Sequence, residues 1–158
     1  MSYALQAILA SATTLSGVLG RQGGIPALVV PLRLDVAMVP MTDELFDAVT
    51  DGSSESPLGF WKLPGGFDRV LAAWSTSGPI GYVEVEYFGG VGGQRAALWT
   101  AGRLAVGPLS VEEGQTWPAE GSPISQILAR LGVDRGGHHD EFDAVGLAEH
   151  RDTADWLT

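Results

Sequence analysis

Residues 82–106 of the chain read YVEVEYFGGVGGQRAALWTAGRLAV, and this stretch decides the fold. Apolar and polar residues alternate in its first part, where Glu84 and Glu86 point to one face and the apolar side chains to the other. Turns that contain glycine separate this part from two further apolar segments. The stretch therefore predicts an antiparallel meander of three strands, at residues 82–88, 94–100 and 103–106.

The two glutamates of the first strand have two interpretations. Residues two apart on one face of a strand lie about 7 Å from each other, a separation that a catalytic carboxylate pair can use. On the solvent face of an antiparallel sheet, the same alternation is ordinary surface polarity. We expect Glu84 and Glu86 to be exposed, and nothing in the sequence indicates a substrate cleft beside them.

The glycine-rich turn at residues 89–93 does not predict a nucleotide site. A phosphate-binding loop joins a strand to a helix whose first N–H groups face the anion. Here a further strand follows the turn, and Arg95 occupies the place where the third glycine of a G-x-G-x-x-G motif would stand. The segment is therefore interpreted as a hairpin turn with a permissive backbone.

The elements outside the meander are predicted from caps and from the spacing of apolar residues. Residues 3–9 indicate a strand that is followed by a helix, and residues 27–39 indicate one extended strand. Thr42 and Ser122 are suitable N-caps for two further helices. Apolar residues at i, i+3, i+4 and i+7 from Phe67 predict another helix of about three turns that ends before Gly78.

The chain is expected to form one domain. Its 158 residues and 45% hydrophobic content suffice for a single core, and no linker or repeat divides it. A meander with helices on either side in the sequence favours the α+β class. We predict a single α+β domain at residues 1–158 with an antiparallel or mixed sheet, helices packed on one face of that sheet, and an acidic C-terminal segment at residues 134–158.

The net charge of −10 is concentrated in two segments. Residues 41–56 hold five acids and no base, and residues 134–158 hold seven acids and two bases, so each segment carries −5. The remaining seven acids and seven bases cancel. A surface that follows nucleic-acid phosphates or an anionic membrane needs clustered cations, so neither nucleic acid nor membrane is an expected partner.

This charge pattern favours non-enzymatic binding of a basic protein, with no cofactor and no catalytic residue. Acidic segments attract a cationic partner, and tryptophans in loops supply contact area. The acids also have a second interpretation, as solvated helix faces that keep the protein soluble. The residues predicted to bind the partner are Asp43, Asp47, Trp61, Trp117, Asp140 and Asp143.

The absence of cysteine excludes disulfides, thiol nucleophiles and cysteine-based metal sites, and it fits a reducing cytosol. The apolar run near residue 1 lacks the basic residues that begin a secretory signal. No uninterrupted stretch reaches the roughly 18 apolar residues of a membrane span. We therefore expect a cytoplasmic protein.

The three histidines all lie in the acidic C-terminal segment, and they carry the enzymatic alternative. Imidazole and carboxylate groups together suit Zn, Mn or Fe, which predicts a metal-dependent hydrolase. His139 and Asp143 have the i, i+4 spacing that places two ligands on one helix face. A polar helix start is the structural interpretation of the same cluster. The candidate metal ligands are His138, His139, Asp140, Asp143 and His150.

The run EVEYFGGVGGQRAALW at residues 84–99 resembles the strand, glycine turn and strand of some small uncharacterised bacterial proteins. These include immunity-like proteins encoded beside polymorphic toxins. The resemblance covers about a tenth of the chain. It implies a cytosolic, non-enzymatic inhibitor that masks a basic partner. A structural or assembly subunit, which would form a stable homo-oligomer, is the third possibility.

Overall fold

The computed structural model describes residues 2–88, 91–116 and 118–157. The strands are β1 (Ser2–Ser11), β2 (Val30–Pro31), β3 (Val36–Pro40), β4 (Ile80–Phe88), β5 (Val91–Thr100) and β6 (Arg103–Val111). The α-helices are α1 (Ala12–Arg21), α2 (Asp43–Val49), α3 (Phe67–Trp74), α4 (Pro123–Arg130) and α5 (Glu141–Ala144). Short 3₁₀ helices are found at Pro57–Gly59, Leu147–Glu149 and Thr153–Leu157.

The strands form one sheet in the order β2-β3-β1-β4-β5-β6, and every neighbouring pair is antiparallel. The predicted meander is confirmed as β4-β5-β6, although its third strand continues to Val111 rather than ending at Val106. The α+β class and the antiparallel sheet are confirmed. Strand β1 lies at the centre of the sheet between β3 and β4.

Helices cover both faces of the sheet, so the prediction of a single helical face is wrong. Helices α1, α2 and α3 pack on one face, and α4 and α5 pack on the other with the last two 3₁₀ helices. Strand β1 shows why, because its consecutive residues Ile8 and Leu9 are both buried but belong to different cores. Apolar residues at successive positions of a strand require cover on both sides.

The predicted helix caps at Thr42 and Ser122 are confirmed, and Ser11 caps α1 in the same way. The Ser11, Thr42 and Ser122 hydroxyls accept from the N–H groups three residues further on, which satisfies donors that a helix start leaves free. Gly132 follows α4 with a φ of 96°, as a glycine that ends a helix commonly does. Among the helices of the described residues, none combines the length and the apolar character needed to cross a membrane.

Residues 27–39 form a short hairpin instead of the single strand predicted. Strands β2 and β3 pair with each other, and Leu34 and Asp35 in the turn between them have φ values of 61° and 63°. Two successive positive φ angles are the requirement of a type I′ turn, which normally takes Asn-Gly. The turn was missed because neither leucine nor aspartate carries that sequence signal.

Replacing this turn by the residues that its geometry prefers is expected to stabilise the protein. The double variant Leu34→Asn, Asp35→Gly removes the cost of two ordinary side chains in the left-handed region. Leu34 is exposed, so little buried surface is lost. We expect the free energy of unfolding in urea to rise by about 1 kcal/mol. A decrease would contradict the turn geometry.

Candidate functional site

The most unusual side chain in the described part of the protein is Glu84. It lies on β4 on the face covered by α1, α2 and α3, and none of its surface is exposed. The sequence interpretation placed Glu84 on a solvent face together with Glu86, which is wrong for Glu84 and correct for Glu86. Glu84 is the only buried charged side chain among the described residues.

The loop at residues 60–63 covers Glu84. Phe60 and Leu63 are buried in the core of this face, and the Phe60 ring meets the Tyr82 ring edge-on with 5.1 Å between centroids. The two residues between them leave the core, so that Trp61 is 41% exposed. The loop is therefore anchored at both ends by apolar burial and presents Trp61 outward.

The carboxylate of Glu84 binds the backbone of this loop. The N–H groups of Trp61 and Lys62 each donate to one of its two oxygens at 2.5 Å. The Tyr82 hydroxyl lies 2.9 Å from the Lys62 carbonyl oxygen and 3.2 Å from Oε2 of Glu84. A buried carboxylate that receives charge-assisted hydrogen bonds from two backbone donors fixes the loop conformation.

Arg95 supports the same loop from the neighbouring strand. It pairs across the strands with Glu84, and its guanidinium carbon lies 4.9 Å from the centroid of a Trp61 ring. Its Nη2 donates to the Glu112 carboxylate at 2.6 Å. The cation–π contact and the ion pair hold the outward-facing indole against the sheet.

Exposed apolar side chains surround this supported tryptophan. Phe88 and Val91 lie opposite each other at the end of the β4-β5 hairpin and are 80% and 49% exposed. They line a shallow cleft of about 410 Å³ together with Trp61 and the carboxylate-bearing residues Glu86, Glu112 and Glu113. We call these six residues the Trp61 surface.

The electrostatics of Glu84 reflect its burial. Loss of hydration raises the pKa of the carboxyl group, while the N–H groups of Trp61 and Lys62, the Tyr82 hydroxyl and the charge of Arg95 act in the opposite direction. The pKa of the exposed Asp43 is lowered, because its carboxylate accepts a hydrogen bond from Lys62 and feels its charge. The pKa values of the two carboxyl groups are therefore shifted in opposite directions.

The Glu84 shift gives a prediction about stability and pH. Because the folded-state pKa lies above the ordinary value of 4.5, the folded protein binds this proton more tightly than the unfolded chain does. Glu84 therefore contributes to the free energy of unfolding, and this contribution increases as pH falls from the folded-state pKa towards the unfolded-state pKa. We expect the free energy of unfolding of the wild type to rise relative to that of Glu84→Gln as pH falls from about 8 to about 5. Urea unfolding of both proteins measures this difference. A fall in the free energy of unfolding of the wild type relative to the variant would contradict a raised pKa of Glu84.

The six residues predicted to bind a partner do not form one surface. Asp43 and Asp47 are exposed on α2, and Asp43 lies beside the loop through a 2.7 Å contact with Lys62. Asp140 and Asp143 lie at α5, which packs on the opposite face of the sheet. Trp117 lies outside the described residues. Of the predicted set, Asp43 contacts Lys62, the residue that follows Trp61.

The candidate metal ligands are not gathered into a site. Asp143 contacts His138 at 3.1 Å rather than His139, because the short helix α5 begins after His139. Asp140 caps α5 by accepting from the Asp143 N–H at 2.8 Å. His150 packs edge-on against Trp156. Within the described residues, no three His, Asp or Glu side chains are grouped so that they could hold a metal ion.

No protein-family model, curated protein or solved structure matches this chain. Sequence reasoning missed Glu84 as a loop anchor, Arg95 as its neighbour and Phe88 as an exposed apolar residue. One signal was present, because Tyr82 shares a strand face with Glu84 and a large aromatic there favours a covered face.

Proposed function

We propose that the protein is a non-enzymatic binding domain that captures a basic protein on its Trp61 surface. The observation that carries the proposal is an exposed tryptophan, flanked by Phe88 and Val91 and bordered by three carboxylates. Aromatic side chains at the centre of a patch with polar residues around them are typical of protein interfaces. Exposed apolar residues in contact with each other also distinguish a binding surface from scattered surface residues.

The support beneath Trp61 favours binding. Glu84 fixes the backbone of residues 61 and 62, and Arg95 stacks on the indole ring. An interface that is ordered before it meets its partner loses less conformational entropy on association, and this gives a higher affinity for the same contacts. The buried carboxylate is engaged by the loop and so has a structural role that needs no substrate.

The charge of the surface defines the chemistry of the partner. Glu86 and Glu113 are exposed beside the aromatic residues, Asp43 lies nearby, and the whole chain carries −10. Such a field steers a cationic protein towards the patch and disfavours anionic ones. The proposal agrees with the resemblance of residues 84–99 to immunity-like proteins, which implies that the partner is a basic protein held inactive.

Photo-crosslinking in cells of the source organism tests this proposal. A benzophenone amino acid replaces Phe88 in one variant and Leu28, which is also exposed but lies outside the Trp61 surface, in a control. We expect an adduct with a basic protein from position 88 and not from position 28. The proposal fails if neither position gives an adduct or both give the same one. An adduct with a second copy of the chain also contradicts it and favours the assembly subunit.

Charge reversal at the edge of the Trp61 surface is expected to slow association with the captured partner. Glu86→Lys, Glu113→Lys should lower the association rate constant about tenfold at low salt, with a smaller effect at high salt. The double variant Glu120→Lys, Glu141→Lys makes the same change in net charge near the opposite face. Equal effects from the two double variants, measured by stopped-flow mixing, would show that only net charge matters.

A further inference from the structure

A second concave site lies on the opposite face of the sheet. It is a cavity of about 640 Å³ between β4, β5, α4 and the start of α5. Its apolar wall includes Tyr3, Tyr87 and Phe142, and the Tyr3 and Phe142 rings meet edge-on at 5.5 Å. The volume falls within the range of pockets that enclose a small organic molecule. Aromatic walls favour a ligand with a flat apolar body.

The cavity is lined by a buried hydroxyl group for which the described part of the chain offers no hydrogen-bond partner. Ser125 is 2% exposed and lines the cavity, and within the described residues its Oγ has no hydrogen-bond partner. The neighbouring donors are already used, because the Ser125 N–H donates to Ser122 Oγ and the Ile124 N–H donates to Gln94 Oε1. A buried hydroxyl left alone is costly, and a polar group of a ligand would satisfy it.

The open end of the cavity is predominantly acidic. Glu120 is exposed and Asp140 and Glu141 are half-buried where they line it, and the fixed positive charge at this rim is that of Arg135. Arg135 donates to the His139 carbonyl oxygen at 3.0 Å, which engages part of its guanidinium group. Three carboxylates beside aromatic rings favour a cationic group on the ligand, through charge and through cation–π attraction.

We propose that this cavity binds a small organic amine with an aromatic body, whose far end carries a hydroxyl group for Ser125 and whose ammonium group faces the carboxylates. The proposal is independent of the Trp61 surface, because the two sites lie on opposite faces of the sheet. It also gives the acids near α5 a role that differs from partner binding.

Three matched probes separate the two ends of the ligand. Tyramine has a phenol hydroxyl and an ammonium group, 2-phenylethylamine lacks the hydroxyl, and 3-(4-hydroxyphenyl)propanoate carries a carboxylate in place of the amine. Chemical shift changes in the ¹⁵N-labelled full chain report binding at α4 and α5. We expect tyramine to bind in the millimolar range, about tenfold more tightly than the carboxylate and about fivefold more tightly than 2-phenylethylamine.

Two variants assign these differences to the residues named. In Ser125→Ala the advantage of tyramine over 2-phenylethylamine should disappear, while spectra of the rest of the protein remain unchanged. Glu141→Gln should weaken tyramine several-fold, and Glu44→Gln, an exposed position on α2, should not. The proposal is overturned if tyramine at about 10 mM shifts no cavity residue, if the carboxylate binds as tightly, or if Ser125→Ala leaves the advantage intact.

Discussion

Replacing Glu84 by alanine is expected to lower the free energy of unfolding by about 3–5 kcal/mol. The substitution leaves the partly buried N–H groups of Trp61 and Lys62 without their acceptor. Each such donor costs about 1–3 kcal/mol, and the lost side chain also leaves a void. Urea unfolding followed by circular dichroism measures the change.

Two further variants serve as comparisons. One removes only the negative charge at position 84, and the other removes a carboxylate elsewhere on the same strand. Glu84→Gln keeps one oxygen but turns an NH₂ group towards a backbone donor, so about 2 kcal/mol should be lost. Glu86→Ala, two residues further on the same strand face but exposed, should change stability by less than about 0.5 kcal/mol. If Glu84→Ala costs no more than Glu86→Ala, the carboxylate does not hold the loop.

Replacing Trp61 by alanine is expected to weaken binding of the basic partner about 100-fold, with little loss of stability. The indole is 41% exposed in the free protein, so its removal costs little core packing. In the complex the side chain would be covered at the centre of the interface, where truncation of tryptophan commonly costs 2 kcal/mol or more, or about 30-fold. Isothermal titration with the crosslinked partner, purified separately, measures the affinity.

The control for Trp61 is Leu28→Ala, which removes a side chain of similar exposure outside the Trp61 surface. We expect its affinity for the partner to equal that of the wild type. Far-ultraviolet circular dichroism and urea unfolding establish that both variants remain folded. A Trp61→Ala protein that binds as the wild type does would remove the central residue from the proposed interface.

Local chemistry in the sequence was sufficient to predict most of the elements. The hydroxyl caps at Thr42 and Ser122 and the alternation in β4 each depend on residues close together in the chain. Such signals act within one helical turn or one strand, so they do not depend on contacts with the rest of the fold. The hairpin at Leu34 and Asp35 was missed for the complementary reason, since its geometry is imposed by strand pairing.

The sequence failed to predict the burial of Glu84 and the second helical face for one shared reason. Alternation along a strand shows which residues share a face, but it does not show whether that face is covered. The alternation of Glu84 and Glu86 with apolar residues predicts an exposed face, as ordinary sheet polarity does. Its cover comes from Trp61 and Lys62, more than 20 positions earlier in the chain, and no local pattern reports such a contact.

The sequence did not predict, for a similar reason, that the two acidic segments lie on opposite faces of the sheet. Asp43 and Asp140 were grouped by charge, but the sheet lies between α2 and α5. Asp43 therefore lies near the loop that carries Trp61, while Asp140 lines the cavity beside α5. Only the topology of the strands distinguishes these arrangements.

Hydrogen–deuterium exchange of the protein with and without its captured partner tests whether the partner binds on the Trp61 surface. We expect new protection at residues 86–88, 91–95 and 111–113, which contain Arg95 and the residues of the Trp61 surface other than Trp61 itself, and no change at residues 138–145. The Trp61 and Lys62 amides should already exchange slowly without the partner, because Glu84 accepts from both. Protection confined to residues 138–145, with the Trp61 surface unchanged, would contradict the account.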